Sequence, residues 1–473
     1  MNAMRDSSSH DLTGDAMTKH LRIAACLLVA LPCIALAALP SAKDKALSAR
    51  VDRVLTETPV IDGHNDLPWG IRTDFGNVGN IDLSADTSNL RGKTGDGDVH
   101  LMTDIPRARK GHLGAQFWSV WIPATTTGPE AVQMTLEQID IVRTMVAKYP
   151  KDFEMASTAA DIQRIEKSGR IASLIGVEGG HQINNSLPVL RDYYALGVRY
   201  MTLTHSKNTD WADSATDTPA HQGLTPFGRA VVHEMNRLGM LVDLSHVSPE
   251  TMKAALETTR APVIFSHSSA RALDDHPRDV PDDVLRMVKQ NHGVVMVNFY
   301  PPFISQAVAT WDADRAGASA KFDALYVGQP DRAKAAMDQW KKEHPQPKAT
   351  IAQVADHIDH IRKIAGVESV GIGSDFDGIE ITPEGLEGVD TYPALFAELA
   401  RRGWTDGELA ALAGRNLLRV MREAEQVAAK LQAQEAPSNA TIKMDVGGSS
   451  TPNEGRRASS AIGPPVPSSR LAR

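Results

Sequence analysis

Three observations predict a (β/α)8 TIM barrel. Between about residues 45 and 433, eight short apolar runs alternate with amphipathic segments. Most of the runs are apolar nearly throughout, as strands of a parallel sheet covered on both faces should be. No glycine-rich dinucleotide fingerprint follows any run, which argues against a doubly wound sheet.

The first run, Val60–Asp62, leads into "GHNDLPW", where Gly63 and Pro68 mark a turn. Gln116–Trp121 is the second strand, and the helical pattern of Glu130–Lys148 follows it. Ile171–Val177 and Arg199–Thr204 are the third and fourth, with a helix at Pro226–Leu238 after them. Met240–Leu244 is the fifth; Ser248 and Pro249 then carry the capping chemistry of a helix start. Pro262–Ser266 and Gly293–Phe299 are the sixth and seventh, separated by a helix at Pro281–Gln290. A helical insertion at about 301–350 comes next, and its aromatic residues read as packing groups. The helix Ile351–Ala365 and the eighth strand, Ser369–Ser374, complete the alternation.

The ends of the chain differ from its middle. Lys19 and Arg22, an apolar run from Ile23, and small residues at Ala35 and Ala37 have the form of a secretory signal peptide with an A-x-A site, so residues 1–42 read as signal peptide and short leader. The run is short for a membrane span and is broken by Pro32. These features predict an exported protein, periplasmic or secreted, with no stable membrane span after signal removal. Both cysteines, Cys26 and Cys33, fall in this run, so a cysteine nucleophile is excluded once it is cleaved. Residues 43–433 form the expected barrel domain; 434–473, rich in Ser, Pro, Gly and Ala, reads as a disordered tail. The net charge of −8 and the lack of a basic stripe argue against nucleic-acid binding.

Polar residues recur where the strands end. His64 and Asp66 follow the first, Glu178 the third, His205 the fourth, His246 the fifth, His267 the sixth and Asp375 the eighth. A single strand-end histidine is more often a hydrogen-bonded structural residue, and a single aspartate near glycine a turn or cap. In a barrel, however, these ends form one ring on the face where active sites sit. His64, Asp66, Glu178, His246 and His267 supply enough ligands for two metal ions if one carboxylate bridges. Imidazole and carboxylate favour zinc. Asp375 remains as a free carboxylate for proton transfer, and His205 as a donor to a developing oxyanion. His181 lies close enough to Glu178 to support it, and Asp377 reads as a cap or buttress. His221 and His233 read as structural, and His357 and His360 as surface residues of a helix.

The stretches "TPVIDGHNDLPW", "ASLIGVEGGH", "TLTHSKNTDWADS", "RAPVIFSHSSA", "VMVNFY" and "GSDFDGI" make the chain resemble the membrane dipeptidase (renal dipeptidase) family of zinc metallopeptidases over about residues 48–430. The resemblance implies a barrel of the metal-dependent hydrolase type with two zinc ions per chain. One would be held by His64, Asp66 and Glu178, the other by Glu178, His246 and His267. Asp375 would transfer the proton and His205 polarise the scissile carbonyl. Arg278, in "RDVPDD", would hold the substrate carboxylate; a surface ion pair with Asp282 or Asp283 is its structural alternative. The implied activity is hydrolysis of dipeptides, with tolerance of C-terminal D-residues and of some β-lactams, in an enzyme that can be a homodimer. A deacylase acting on N-acyl amino acids is the neighbouring possibility on the same scaffold.

Overall fold

The computed structural model describes residues 42–92 and 98–442. The signal-like stretch and both cysteines lie outside the described residues.

Eight parallel strands close into a barrel: β1 (Val60–Asn65), β2 (Leu113–Trp121), β3 (Ile171–Glu178), β4 (Val198–Thr202), β5 (Leu241–Asp243), β6 (Ile264–Phe265), β7 (Val294–Val297) and β8 (Val370–Ile372). Each pairs with the next, and β8 returns to β1 through Ile372 and Asp62. The order is that of the eight apolar runs. The strands from β4 to β8 are shorter than the runs, and in each the ladder ends before the polar residue at the rim. A short extra strand, Phe153–Met155, extends the sheet beside β3, and a two-stranded hairpin joins Leu90–Arg91 to Asp98–Val99.

The helices cover the barrel and bury apolar stripes on it. Pro226–Leu238 buries Val231, Val232, Met235 and Leu238, starts on a Thr225 cap and stops at Gly239, whose φ of 82° suits glycine. Pro249–Thr258 is capped by Ser248, which accepts from the Thr251 N–H. The insertion is a helical hairpin, Gln306–Leu325 and Pro330–Glu343. Its aromatics pack on one another: Trp311 lies 5.8 Å from Trp340, which stacks on His344.

Two expectations are corrected. His357 is buried, not on the surface: it shares the inward face of Ile351–Ala365 with Val354 and Ile361. Its two ring nitrogens meet the Ala270 N–H and the Ile304 carbonyl, so burial leaves neither unpaired. The final helix runs to Gln434, and the chain beyond it docks on the barrel up to residue 442. Thr441 bridges to Ser186, the Ala440 carbonyl accepts from Leu187 N, and the Asn185 carbonyl accepts from Ile442 N. Arg191 holds the Ser438 carbonyl and Asn439. A polar segment can order itself in this way because a preformed surface satisfies its backbone. The rest of the expected tail, 443–473, lies outside the described residues.

Candidate active site

The carboxyl rim of the barrel surrounds a cavity of about 510 Å³, within the size range of small-molecule sites. Asp66, Glu178, His205, His246, His267, Arg278 and Asp375 line it. His64 lies just beneath, fully buried at the end of β1.

Two triads share Glu178. His64, Asp66 and Glu178 form one and Glu178, His246 and His267 the other; within each, the candidate ligand atoms lie within 4.8 Å of one another. His64 Nε2 is 3.2 Å from Asp66 Oδ2 and 3.4 Å from Glu178 Oε2. His246 Nε2 and His267 Nε2 lie 2.8 and 3.4 Å from the other oxygen, Glu178 Oε1. A further group joins His64 and His267 to Asp375.

These donors fit metal ions better than they fit one another. The buried His64 Nε2 has no hydrogen-bond partner. His246 Nε2 and His267 Nε2 face each other at 2.9 Å, and at most one of a neutral pair could donate. Burial holds both His246 and His267 well below the usual imidazole range, aided at His246 by the Arg278 charge and at His267 by His64. Neutral rings present the lone pairs that a metal requires. Burial opposes the charge on Glu178, but the surrounding imidazoles overcome it and hold the carboxyl well below its usual range. Imidazole nitrogens and carboxylate oxygens converging on one point are a donor set for divalent metals.

Backbone geometry shapes the rim. His246 and Asp375 have φ of 69° and 66°, in the left-handed region that non-glycine residues rarely enter. Gly378 allows the next turn to pass the site: a Cβ there would lie 2.2 Å from Asp66 Oδ2.

Asp375 Oδ2 accepts from Asn298 Nδ2 at 2.9 Å, which leaves Oδ1 facing His64 Nε2 at 3.8 Å. Burial, with Asp66 and Glu178 nearby, pushes the Asp375 carboxyl up to about 8; a bound cation would pull it down. Arg278 is buried, not paired on the surface. It donates to the Ser268 hydroxyl and the His267 carbonyl, and its guanidinium carbon lies 5.3 Å from the Phe303 ring centre. Its Nε has no partner. The alternative partners are engaged elsewhere, Asp282 with His360 and Asp283 with Lys253. Asp377 buttresses, accepting from the Met102 N–H, although it also borders the cavity.

His205 meets a partner that the sequence did not reveal. The Trp121 indole N–H donates to His205 Nε2 at 3.1 Å. Burial lowers the His205 pKa, and a neutral ring accepting at Nε2 carries its proton at Nδ1. Donation from Nε2 to a substrate oxygen therefore requires the tautomer to change and Trp121 to turn away. Trp121, Asn298 and Tyr200, whose hydroxyl lies 2.8 Å from His64 Nδ1, are not legible in the sequence, because each acts through a contact between different strands. Only the position of Trp121 at a strand end could have pointed to it.

A closed parallel barrel with paired imidazole–carboxylate triads on its carboxyl rim defines a metal-dependent hydrolase of the TIM-barrel type. The sequence profile of the membrane dipeptidase family, peptidase family M19, matches residues 48–435. The chain belongs to this family of metallopeptidases. It is 44% identical over 389 residues to an uncharacterized dipeptidase of Schizosaccharomyces pombe, covering 79% of this chain and 83% of that protein. It is 41% identical over 393 residues to dipeptidase 3 of Macaca fascicularis, covering 82% and 70%. Among solved structures, the probable dipeptidase PvdM of Pseudomonas aeruginosa superposes with a TM-score of 0.67 at 25% identity, over 81% of this chain and 100% of that one. A Rhodobacter sphaeroides metallopeptidase bound to a phosphinate mimic of L-Ala-D-Ala shares the fold, with a TM-score of 0.61 at 22% identity over 78% and 99%.

Proposed function

We propose that the protein is a dizinc dipeptidase that hydrolyses the single peptide bond of a dipeptide. The observation that carries this reading is the pair of triads sharing Glu178, with Arg278 and Asp375 lining the same cavity. His64, Asp66 and Glu178 would hold one ion, and Glu178, His246 and His267 the other. Bound there, the ion pair would polarise the scissile carbonyl and ease deprotonation of a water.

The chain's own residues do the rest. Arg278 binds the substrate's terminal carboxylate through paired donors, which restricts the enzyme to short substrates with a free C-terminus. Asn298 holds Asp375 Oδ2, so Oδ1 takes the proton of the attacking water and returns it to the departing amine nitrogen. His205, once released by Trp121, donates to the carbonyl oxygen as it gains charge. The signal-like N-terminus supports action outside the cytoplasm, and the family resemblance supports a homodimer.

The test combines metal analysis with hydrolysis of Gly-D-Ala, L,L-dipeptides and N-acyl amino acids by the purified chain. Two zinc ions per chain are expected, with free dipeptides preferred over acylated substrates. Asp375→Asn should keep both ions and lose at least about 100-fold in kcat, the lower range for a general acid–base group. Preference for N-acyl amino acids, or retention of activity by the variant, would overturn the assignment.

A further inference from the structure

Beneath the rim, the same hydrogen-bond clamp is built twice. On β5, Asp243 Oδ1 accepts from Ser245 N at 3.1 Å and Ser266 N at 2.8 Å. Its Oδ2 accepts from the Ser266 hydroxyl at 2.6 Å and the Thr202 hydroxyl at 2.8 Å. On β1, Asp62 Oδ1 accepts from His64 N at 3.1 Å and Ser374 N at 2.9 Å. Its Oδ2 accepts from the hydroxyls of Ser374 and Tyr392. In both, a buried aspartate receives two N–H and two O–H donors and ties its strand to the serine that precedes a rim residue. That residue is His267 in one clamp and Asp375 in the other.

The two differ in what their serine meets. Ser266 Oγ also lies 2.8 Å from His267 Nδ1, whereas the equivalent serine, Ser374, precedes an aspartate and has no imidazole to serve. A carboxylate only accepts, so the single Ser266 proton is directed to Asp243 at 2.6 Å. The weaker hydroxyl contact, to Ser245 Oγ at 3.4 Å, does not compete with it. Ser266 Oγ is then left to accept, and the only donor facing it from the ring is an Nδ1–H. That tautomer leaves the His267 Nε2 lone pair pointing at Glu178 and His246.

We propose that Asp243 and Ser266 are positioning residues that lock His267 as the Nδ1–H tautomer and so prepare its Nε2 to bind metal. The inference rests on the reading of His267 as a ligand. Asp243 acts here through a hydroxyl rather than by touching the ring, a three-member version of the carboxylate–histidine arrangement that orients metal ligands. Replacing Asp243 by asparagine makes the prediction sharp. The amide oxygen can still accept both backbone N–H groups, but the amide nitrogen now donates to Ser266 Oγ. The hydroxyl proton must turn toward His267 Nδ1, and the ring proton moves to Nε2, where it blocks coordination.

The experiment loads the full-length chain with cobalt(II), a spectroscopic stand-in for zinc, and titrates it with a competing chelator while following visible absorption. Asp243→Asn and Ser266→Ala should each weaken one of the two ions about 10–100-fold and alter its absorption band. Ser266→Thr, which keeps the hydroxyl, should restore the affinity to within about threefold. Asp62→Asn makes the same chemical change in the matching clamp, where the serine meets no imidazole and the amide oxygen still accepts from His64 N, and should hold cobalt as the unaltered protein does. Equal losses in Asp62→Asn and Asp243→Asn would reduce both clamps to structural ties and overturn the proposal. Unchanged affinity in Asp243→Asn and Ser266→Ala would do the same. Should Asp243→Asn fail to fold, the Ser266→Ala and Ser266→Thr pair decides. No cobalt bound by the unaltered protein would overturn the metal-centre reading itself, a separate result.

Discussion

Glu166 lies in the helix Ala159–Lys167, beside a cavity lined by Thr58, Pro59, Gly414 and Arg415 at the start of β1. Its side chain makes no hydrogen bond or ion pair among the described residues, and burial alone pushes its carboxyl from 4.5 up to about 7. Below pH 4.5 the acid is neutral in both folded and unfolded chains. Between 4.5 and about 7 the unfolded chain releases the proton while the folded chain keeps it, so stability falls as pH rises through this window. Above it both forms are ionised and the loss is complete. The rise from 4.5 to about 7 corresponds to about 3 kcal/mol. Glu166→Gln keeps the neutral shape and removes the titration. It should match the unaltered protein at about pH 4 and below and exceed it by about 3 kcal/mol at pH 8. Thermal unfolding of the two proteins side by side across this range measures the difference, and any bound metal contributes equally to both. A constant offset between the two curves, or a gap that closes as pH rises, would refute the burial argument.

Two further outcomes follow from the site. Gly378→Ala places a methyl group 2.2 Å from Asp66 Oδ2, so it should displace that carboxylate and lower kcat/KM at least about 10-fold while far-UV circular dichroism stays unchanged. Arg278→Lys loses the planar pair of donors but keeps the charge. Steady-state kinetics should show KM for dipeptides rising on the order of 10-fold or more, the worth of a hydrogen bond to a charged group, with a smaller change in kcat.

The corrected residues show where a linear reading stops. The apolar stripe of Ile351–Ala365 was legible, but whether position 357 met solvent or the neighbouring loops depended on Ala270 and Ile304 arriving beside it. Arg278 could be carried onto its motif position, yet its burial over Phe303 is a product of packing. The docking of residues 438–442 depends on the groove beside Asn185–Leu187, about 250 residues earlier in the chain. Local composition carries no sign of that groove.

By itself the sequence determined the barrel's alternation and the set of groups at its strand ends. Both are local: a buried parallel strand must be apolar along its length, and a residue just past its end must face the rim. Only the tertiary structure decided how those groups are held. Asp62 reaches Ser374 across 312 residues and Tyr392 across 330, and Asp243 joins Thr202 to Ser266 across three strands. Ring closure creates these contacts. Hydrogen bonding orients an imidazole or a carboxylate within a few tenths of an ångström, and no spacing along the chain encodes that precision.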